Sequence, residues 1–463
     1  AQVFKQKNMQ LITNTTFKII LFNILCLCFC SSLLSQNIVF DGDKPEAEFS
    51  VALNPTDTNH IVLATMHGFD STVEGSSTFR IYYSFDFGAS WNISEFEGVL
   101  DAQISAGDPV LYFDKEGKLY LTALNSEPGQ QGDVEMVLYS SEDGGVNWSQ
   151  VFKYGAFMDK PWIGIDTFSS SNHKENIYLT VNNGDSGGVD LLTLNNEDLS
   201  VMSNIELPNS NFLPSLVVKN NGDVFCVNLT SITDFTTFEA DNHLTVHQVT
   251  DGGATMVHST VVDSFPDFLS EAPQVHKRFN ACPYLAIDNS NGSYAGRIYV
   301  TYTAVEKNSL DHFDVYLQYS DDDGMTWSDA STVHSVNDDQ RQQFYSYIFV
   351  NQKGQVMLDW YDQSSDVPDG MADVKFALSN DGGNTFDVIT VNSESMDYDV
   401  AINSGGGFGI GDYHQFFATD EIAMVFWSDG RKNNGDMNIY FSKININADL
   451  TNVQEIGMIN NDF

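Results

Sequence analysis

Positive charge is what this 463-residue chain has least of: 21 Lys and Arg stand against 63 Asp and Glu, a formal charge of −42. Arginine is scarcest, with only Arg80, Arg278, Arg297, Arg341 and Arg431 in the whole sequence. A surface so short of cations cannot neutralise a phosphate backbone or an anionic bilayer, which argues against nucleic acid and membrane surfaces as partners. Cysteine is nearly as sparse. Cys26, Cys28 and Cys30 lie close to the start, leaving Cys226 and Cys282, which suffice for one disulfide or two buried thiols and rule out a disulfide framework. Long apolar runs are missing with one exception. Ile19 to Phe29, behind Lys18 and ahead of Ser31, Ser32 and Ser35, reads as the core of a secretory signal peptide cut near Gln36, with the residues before Met9 as reading-frame overrun. That run is too short for a membrane span and no later stretch approaches one, so the expectation is an exported chain with no integral span. Without residues 1–36 the chain carries 18 basic and 63 acidic residues. Sustained helical periodicity is also lacking beyond that segment, which leaves an alternating, all-β chain.

Aromatic residues are plentiful, 33 Phe, 19 Tyr and 6 Trp, and a large core can be built from them. Many stand near a repeated octapeptide of the form S-x-D-x-G-x-x-W. It occurs at Ser84–Trp91, Ser141–Trp148 and Ser320–Trp327, ends in Phe at Ser379–Phe386, and survives in worn form at Val249–Met256. Each copy directly follows a strand-like alternation. The Asp can fold its carboxylate onto turn N–H groups, the Gly can take a positive φ, and the aromatic can drop onto the sheet below. The acids at 86, 143, 323 and 381 are therefore read as structural and left out of the site.

The repeat extends beyond these turns. A first strand opens near Glu48, Asp108, Lys160, Pro214, Ala281, Tyr345 and Tyr413, followed by a Gly turn, a second strand and a third that runs into the octapeptide. Seven openings spread over residues 37–446 allow four short strands each, which predicts a single β-propeller of seven four-stranded blades. An open ring would leave unpaired strand edges, and Asn37–Phe40 is placed to supply the outer strand of the last blade. Residues 447–463 read as a polar C-terminal linker similar to those ahead of type IX sorting domains in Bacteroidota.

The octapeptide resembles the Asp-box, or BNR, repeat of sialidases and other secreted propellers, and Asp159-Lys160-Pro161-Trp162, Trp360-Tyr361-Asp362, Gly411-Asp412-Tyr413 and Trp427-Ser428-Asp429-Gly430-Arg431 look like motifs of sialidase-like members. Sialidases have six blades, so the resemblance keeps six open beside seven. It implies a glycan or glycoprotein as partner and a site at the channel mouth, where loops entering the first strands converge. A sialidase uses an arginine cluster, a Tyr nucleophile and an acid/base carboxylate. The places available here are Tyr413, Asp412 and Asp362 for catalysis, and Arg278, Arg341, Arg431, Asp159, Lys160 and His414 for substrate. Structural alternatives stand beside them. Arg297 reads as a partner for a neighbouring carboxylate, Arg431 with Asp429 as an ion pair, Asp159 with Lys160 as an internal pair, and Tyr413 and His414 as channel packing. Phe79-Arg80-Ile81-Tyr82 lacks the Pro of the sialidase Phe-Arg-Ile-Pro motif and precedes an octapeptide, so it is a false match. No cofactor is required by this reading. Zinc lacks His pairs at ligand spacing, while calcium is compatible with the abundant carboxylates although no loop has EF-hand spacing. Two readings result: a glycan-active enzyme, and a non-catalytic propeller that binds glycan or protein. The oligomeric state is left open.

Overall fold

Seven antiparallel sheets, laid down in chain order from the axis outwards except for the outermost strand of the last, make the computed structural model a seven-bladed β-propeller. It describes residues 36–39, 45–67, 78–98, 105–126, 134–233, 240–266, 282–305, 313–334, 342–363, 367, 370–398, 410–431, 437–448 and 450. The innermost strands of blades 1 to 7 are Glu46–Leu53, Ser105–Phe113, Met158–Ile165, Phe212–Val218, Tyr284–Ile287, Gln343–Val350 and Phe417–Ala418. Six of the seven predicted openings fall in or beside these strands, and the seventh, Ala281, lies outside the described residues. Blade 6 carries an extra short strand, Met396–Asp397, on its third strand. Among the described residues no helix is long and apolar enough to cross a membrane.

The strands read as they do because a blade is covered on both faces by its neighbours. Second strands such as Ile61–His67 are buried at every residue, and the sequence there is a continuous apolar run rather than a strict alternation. The ring closes as expected. Gln36–Ile38 pairs antiparallel with Asn438–Asn445 of blade 7, matching Asn37 with Phe441, and the Val39 N–H donates to the Ile439 carbonyl at 2.9 Å. Cys226 and Cys282 are free thiols, so the disulfide alternative is not realised.

The octapeptides form identical clamps. In the first, Ser84 Oγ donates to Asp86 Oδ1 at 2.8 Å, Gly88 N–H to Ser84 Oγ at 2.8 Å, and Ser90 N–H to Asp86 Oδ1 at 2.8 Å. Ser141/Asp143/Asn147, Ser320/Asp322/Thr326 and Ser379/Asp381/Thr385 repeat the pattern. The clamping acid of the third copy is thus Asp322, and the expectation for Asp323 is corrected: Asp323 takes a φ of 57° and its carboxylate faces Lys219. These hydrogen bonds hold the Asp86 carboxyl down to about 2, first through the Ser90 hydroxyl and then its N–H. The worn copy at Val249–Met256 keeps the turn, with Ala254 N–H donating to the Thr250 carbonyl at 3.1 Å, but has no Ser to close the clamp. The aromatics sit at different depths. Trp148 is buried and donates to the Gly145 carbonyl at 3.0 Å, whereas Trp91 and Trp327 are half-buried.

Each clamp also latches onto the preceding blade. His60 Nε2 meets the Gly144 carbonyl at 2.9 Å, His258 Nε2 the Asp323 carbonyl at 3.0 Å, and Arg297 Nη1 donates to the Gly382 carbonyl at 2.9 Å. Arg297 also forks the Asp321 carboxylate at 2.7 and 2.8 Å, the structural partnership its sequence position suggests. The approach is close enough to demand glycine. At Gly88, with φ of +75°, a Cβ would stand 2.6 Å from Met424 Cε of blade 7.

Candidate functional site at the channel mouth

Near the start of the inner strands the pairing to the second strand slips at a bulge, seen in blades 1, 2, 3, 4 and 6. One residue at each slip adopts a left-handed backbone: Glu48 (φ 48°), Asp108 (52°), Lys160 (48°), Leu213 (54°) and Tyr345 (53°). None is glycine, so each position carries strain of about 1–3 kcal/mol that the surrounding sheets must hold. Aligned on these strands, the same place belongs to Cys282 before Pro283 in blade 5 and to Asp412 after Gly411 in blade 7.

The equivalent positions are chemically divided. Blades 7, 1 and 2 supply carboxylates, blades 4, 5 and 6 supply Leu213, Cys282 and Tyr345, and Lys160 of blade 3 reaches into the acidic arc. Its ammonium lies 2.8 Å from Asp412 Oδ2, 3.0 Å from Glu48 Oε1 and 4.0 Å from Asp108 Oδ2. Backbone donors complete the set: Asp412 N–H to Glu48 Oε2 at 3.0 Å and Lys160 N–H to Asp108 Oδ2 at 3.2 Å. Gly411 permits the approach, since a Cβ there would fall 2.3 Å from Glu48 Cβ.

Burial raises the Glu48 carboxyl well above its usual range; Lys160 offsets this in part, while Asp108 and Asp412 add to it. For Lys160, burial alone would favour loss of the proton, but Asp108, Asp412 and Glu48 outweigh it and hold the ammonium charged. Glu48 is wholly enclosed, whereas the Asp108 and Asp412 side chains each keep 13% of their surface exposed. The two aspartates can therefore touch a ligand, and Glu48 positions the lysine from behind. Beside them lies a narrow, shallow recess lined on its apolar side by Trp162, Leu213, Pro214, Cys282, Tyr284 and Tyr413.

The sequence-predicted site residues separate on this geometry. Lys160, Asp412 and Tyr413 come together. The Tyr413 ring lies under the Lys160 ammonium at 4.6 Å, and its hydroxyl donates to the Pro109 carbonyl at 3.1 Å. Burial, then the charges of Glu48 and Asp108, raise that phenol well above its ordinary value, the opposite of what a phenolate nucleophile needs. Asp159 reaches solvent next to them, yet enclosure on its protein side, then Asp108, raise its carboxyl. His414, Asp362 and Arg431 sit in pairs of their own. His414 Nε2 meets Asp359 Oδ1 at 2.9 Å, Trp360 Nε1 donates to Asp362 Oδ2 at 3.2 Å, and Arg431 Nε donates to Asp429 Oδ2 at 2.9 Å while stacking on Tyr440. Arg278 and Arg341 lie outside the described residues. Among the described residues no group of three or more His, Cys, Asp or Glu is arranged to hold a metal ion. Glu48 and Asp108 were missing from the predicted set. Aligning the inner strands on Asp108-Pro109, Lys160-Pro161, Leu213-Pro214 and Cys282-Pro283 would have found their shared position.

No family model matches the sequence, and no curated protein matches it. Among solved structures the chain is similar to a Hadza microbial sialidase, at 14% identity over 87% of this chain and 66% of that one, with a TM-score of 0.43. It is also similar to a Penicillium chrysogenum α-L-arabinanase complexed with arabinobiose, at 12% identity over 91% and 99% of the two chains and a TM-score of 0.45. An ulvan lyase of a polysaccharide lyase family gives 10% identity over 88% and 95%, with a TM-score of 0.48. Likenesses this distant carry no argument about activity, and the propeller rests on its own strand pairing.

Proposed function

We propose that this protein recognises an uncharged glycan at the mouth of its central channel. The observation that carries the reading is the divided ring: exposed edges of Asp108 and Asp412, fixed by a buried Lys160, stand against a recess walled by Trp162, Tyr284 and Tyr413. Carboxylates accept hydrogen bonds from sugar hydroxyls, and aromatic walls take the apolar face of a pyranose. Among the described residues of the mouth an anionic sugar finds no spare cation, because Lys160 is already held by three carboxylates and Arg431 by Asp429. That weighs against sialic acid as the ligand. An extracellular setting is part of the proposal, supported by the signal-like segment and the acidic surface.

A second reading, hydrolysis, is favoured by one feature. Glu48, whose carboxyl is raised by burial more than Lys160 lowers it, adjoins the part-exposed Asp412 across a single ammonium, so two carboxyls of unlike environment share one site.

Asp108→Asn and Asp412→Asn, measured for melting temperature and for retention on columns of neutral oligosaccharides, test the proposal. Each should weaken retention roughly 10- to 100-fold, as for a lost charge-assisted hydrogen bond, with the melting temperature little changed. Lower melting temperature with unaltered retention would make the cluster a structural plug and sink the reading. Sugar release by the wild type that disappears in Asp412→Asn would add hydrolysis to recognition.

A further inference from the structure

Phe157 breaks two rules at once. It is 48% exposed, and its φ of 58° is a backbone state that a bulky side chain adopts only when its surroundings force it. It lies in the connection 155–157 that leads from the outer strand of blade 2, Ser149–Tyr154, into the inner strand of blade 3. Lys160 follows three residues later, roughly 10 Å along an extended strand.

The lip that carries Phe157 is braced. Gly184 N–H, from the turn joining the second and third strands of blade 3, donates to the Phe157 carbonyl at 2.9 Å. Behind it Tyr154 OH donates to Asp190 Oδ2 at 2.7 Å, Asn183 Nδ2 reaches the same oxygen at 2.8 Å, and Asn204 Nδ2 donates to the Tyr154 hydroxyl at 2.9 Å. On the inner strand, exposed Asp159 is the direct cross-strand partner of Asn182, whose amide hydrogen-bonds it. Asn182 is 8% exposed, and its buried Oδ1 has no hydrogen-bond partner among the described residues. A buried acceptor in that state costs about 1–3 kcal/mol unless something donates to it.

We infer that Phe157, Asp159 and Asn182 form a second subsite on the lip of blade 3, which takes the next ring of an extended, uncharged glycan whose first ring lies at the channel mouth. This rests on the glycan reading above and extends it from a sugar to a chain. The exposed phenyl face supplies the platform, Asp159 accepts from a ring hydroxyl, and the Asn182 carbonyl oxygen gains the donor it lacks. Strain at Phe157 is retained because the left-handed backbone turns the ring outward from a rigid edge instead of letting it fold into the sheet.

Phe157→Gly separates the subsite from a packing role, since glycine takes a φ near 58° without strain and removes only the ring. Retention and dissociation constants are measured for disaccharide to hexasaccharide members of neutral xylan, mannan and arabinan series, alongside melting temperature. The wild type should bind longer members more tightly than disaccharides. Phe157→Gly should bind disaccharides as the wild type does and the longer members roughly tenfold more weakly, with the melting temperature equal or higher. Asn182→Leu, which removes the buried acceptor but keeps the volume, should lose the same length dependence. If the wild type binds these sugars and both variants keep its length dependence, the subsite is overturned while the channel-mouth reading stands. If the wild type binds none of them, the channel-mouth reading fails and the subsite fails with it.

Discussion

Replacing Lys160 by Met should cost about 3–5 kcal/mol of folding stability at neutral pH, the loss expected when one partner is taken from a buried ion cluster. Three carboxylates now share a single ammonium, at 2.8, 3.0 and 4.0 Å, and without it Glu48, Asp108 and Asp412 would repel one another in a desolvated place. The deficit should shrink in acid. Glu48 already has its pKa raised by burial, and losing Lys160, which lowers it, would raise it further. A carboxyl whose folded pKa lies above its unfolded value binds its proton more tightly when folded, so the variant regains stability as pH falls through that raised value. The wild-type lysine behaves in the opposite way. Its folded pKa is raised, so its contribution is complete below the unfolded lysine value, about 10.4, and fades only as pH climbs through the folded one. Urea melts of both proteins at pH 5 and pH 8 read this out. A gap between them that does not narrow at the lower pH would refute a carboxylate cluster compensated by Lys160.

Trp148→Ala should cost about 3–5 kcal/mol, as for a large aromatic removed from a core, and Trp327→Ala clearly less. Both belong to matching clamps, but Trp148 is buried with its Nε1 bonded to both Gly145 O and Ser94 Oγ, while Trp327 is half-buried and bonds only Gly324 O. Phe96 packs edge-on against Trp148 at 5.9 Å and is itself met edge-on by Tyr139 at 5.0 Å. Neither substitution should change glycan retention by the protein that remains folded, because the clamps lie in turns between third and fourth strands. Equal losses for the two Trp, or lost retention at constant melting temperature, would contradict this division between rim and mouth.

The parts of the molecule written locally were readable from the chain. An octapeptide that folds on itself leaves its mark within eight residues, so the clamps at Ser84, Ser141, Ser320 and Ser379 could be placed in turns and their acids removed from the site. Only the crowded run Asp321-Asp322-Asp323 hid which acid closes the clamp. The closing strand was legible because an apolar segment ahead of the first blade has one edge left to cover. The mouth was legible only in part. Glu48 and Lys160 are 112 positions apart and Glu48 and Asp412 are 364 apart, so nothing local ties them together. A left-handed bulge at a non-glycine residue has no composition signal, so Glu48 and Asp108 were legible as strand openings but not as partners of Lys160. Arg431 and Tyr413 show the converse. Their types suit a sialidase site, but Asp429 holds the first two residues away and the Pro109 carbonyl takes the second's hydroxyl.

Hydrogen exchange, with and without a saturating neutral oligosaccharide, locates the ligand most directly. The account predicts slowed exchange in peptides covering the inner-strand openings of blades 1, 2, 3 and 7, at 46–53, 105–113, 155–165 and 410–418, and no change in the clamps at 84–91, 141–148, 320–327 and 379–386. Protection confined to the clamps, or no protection with any neutral glycan tried, would contradict it.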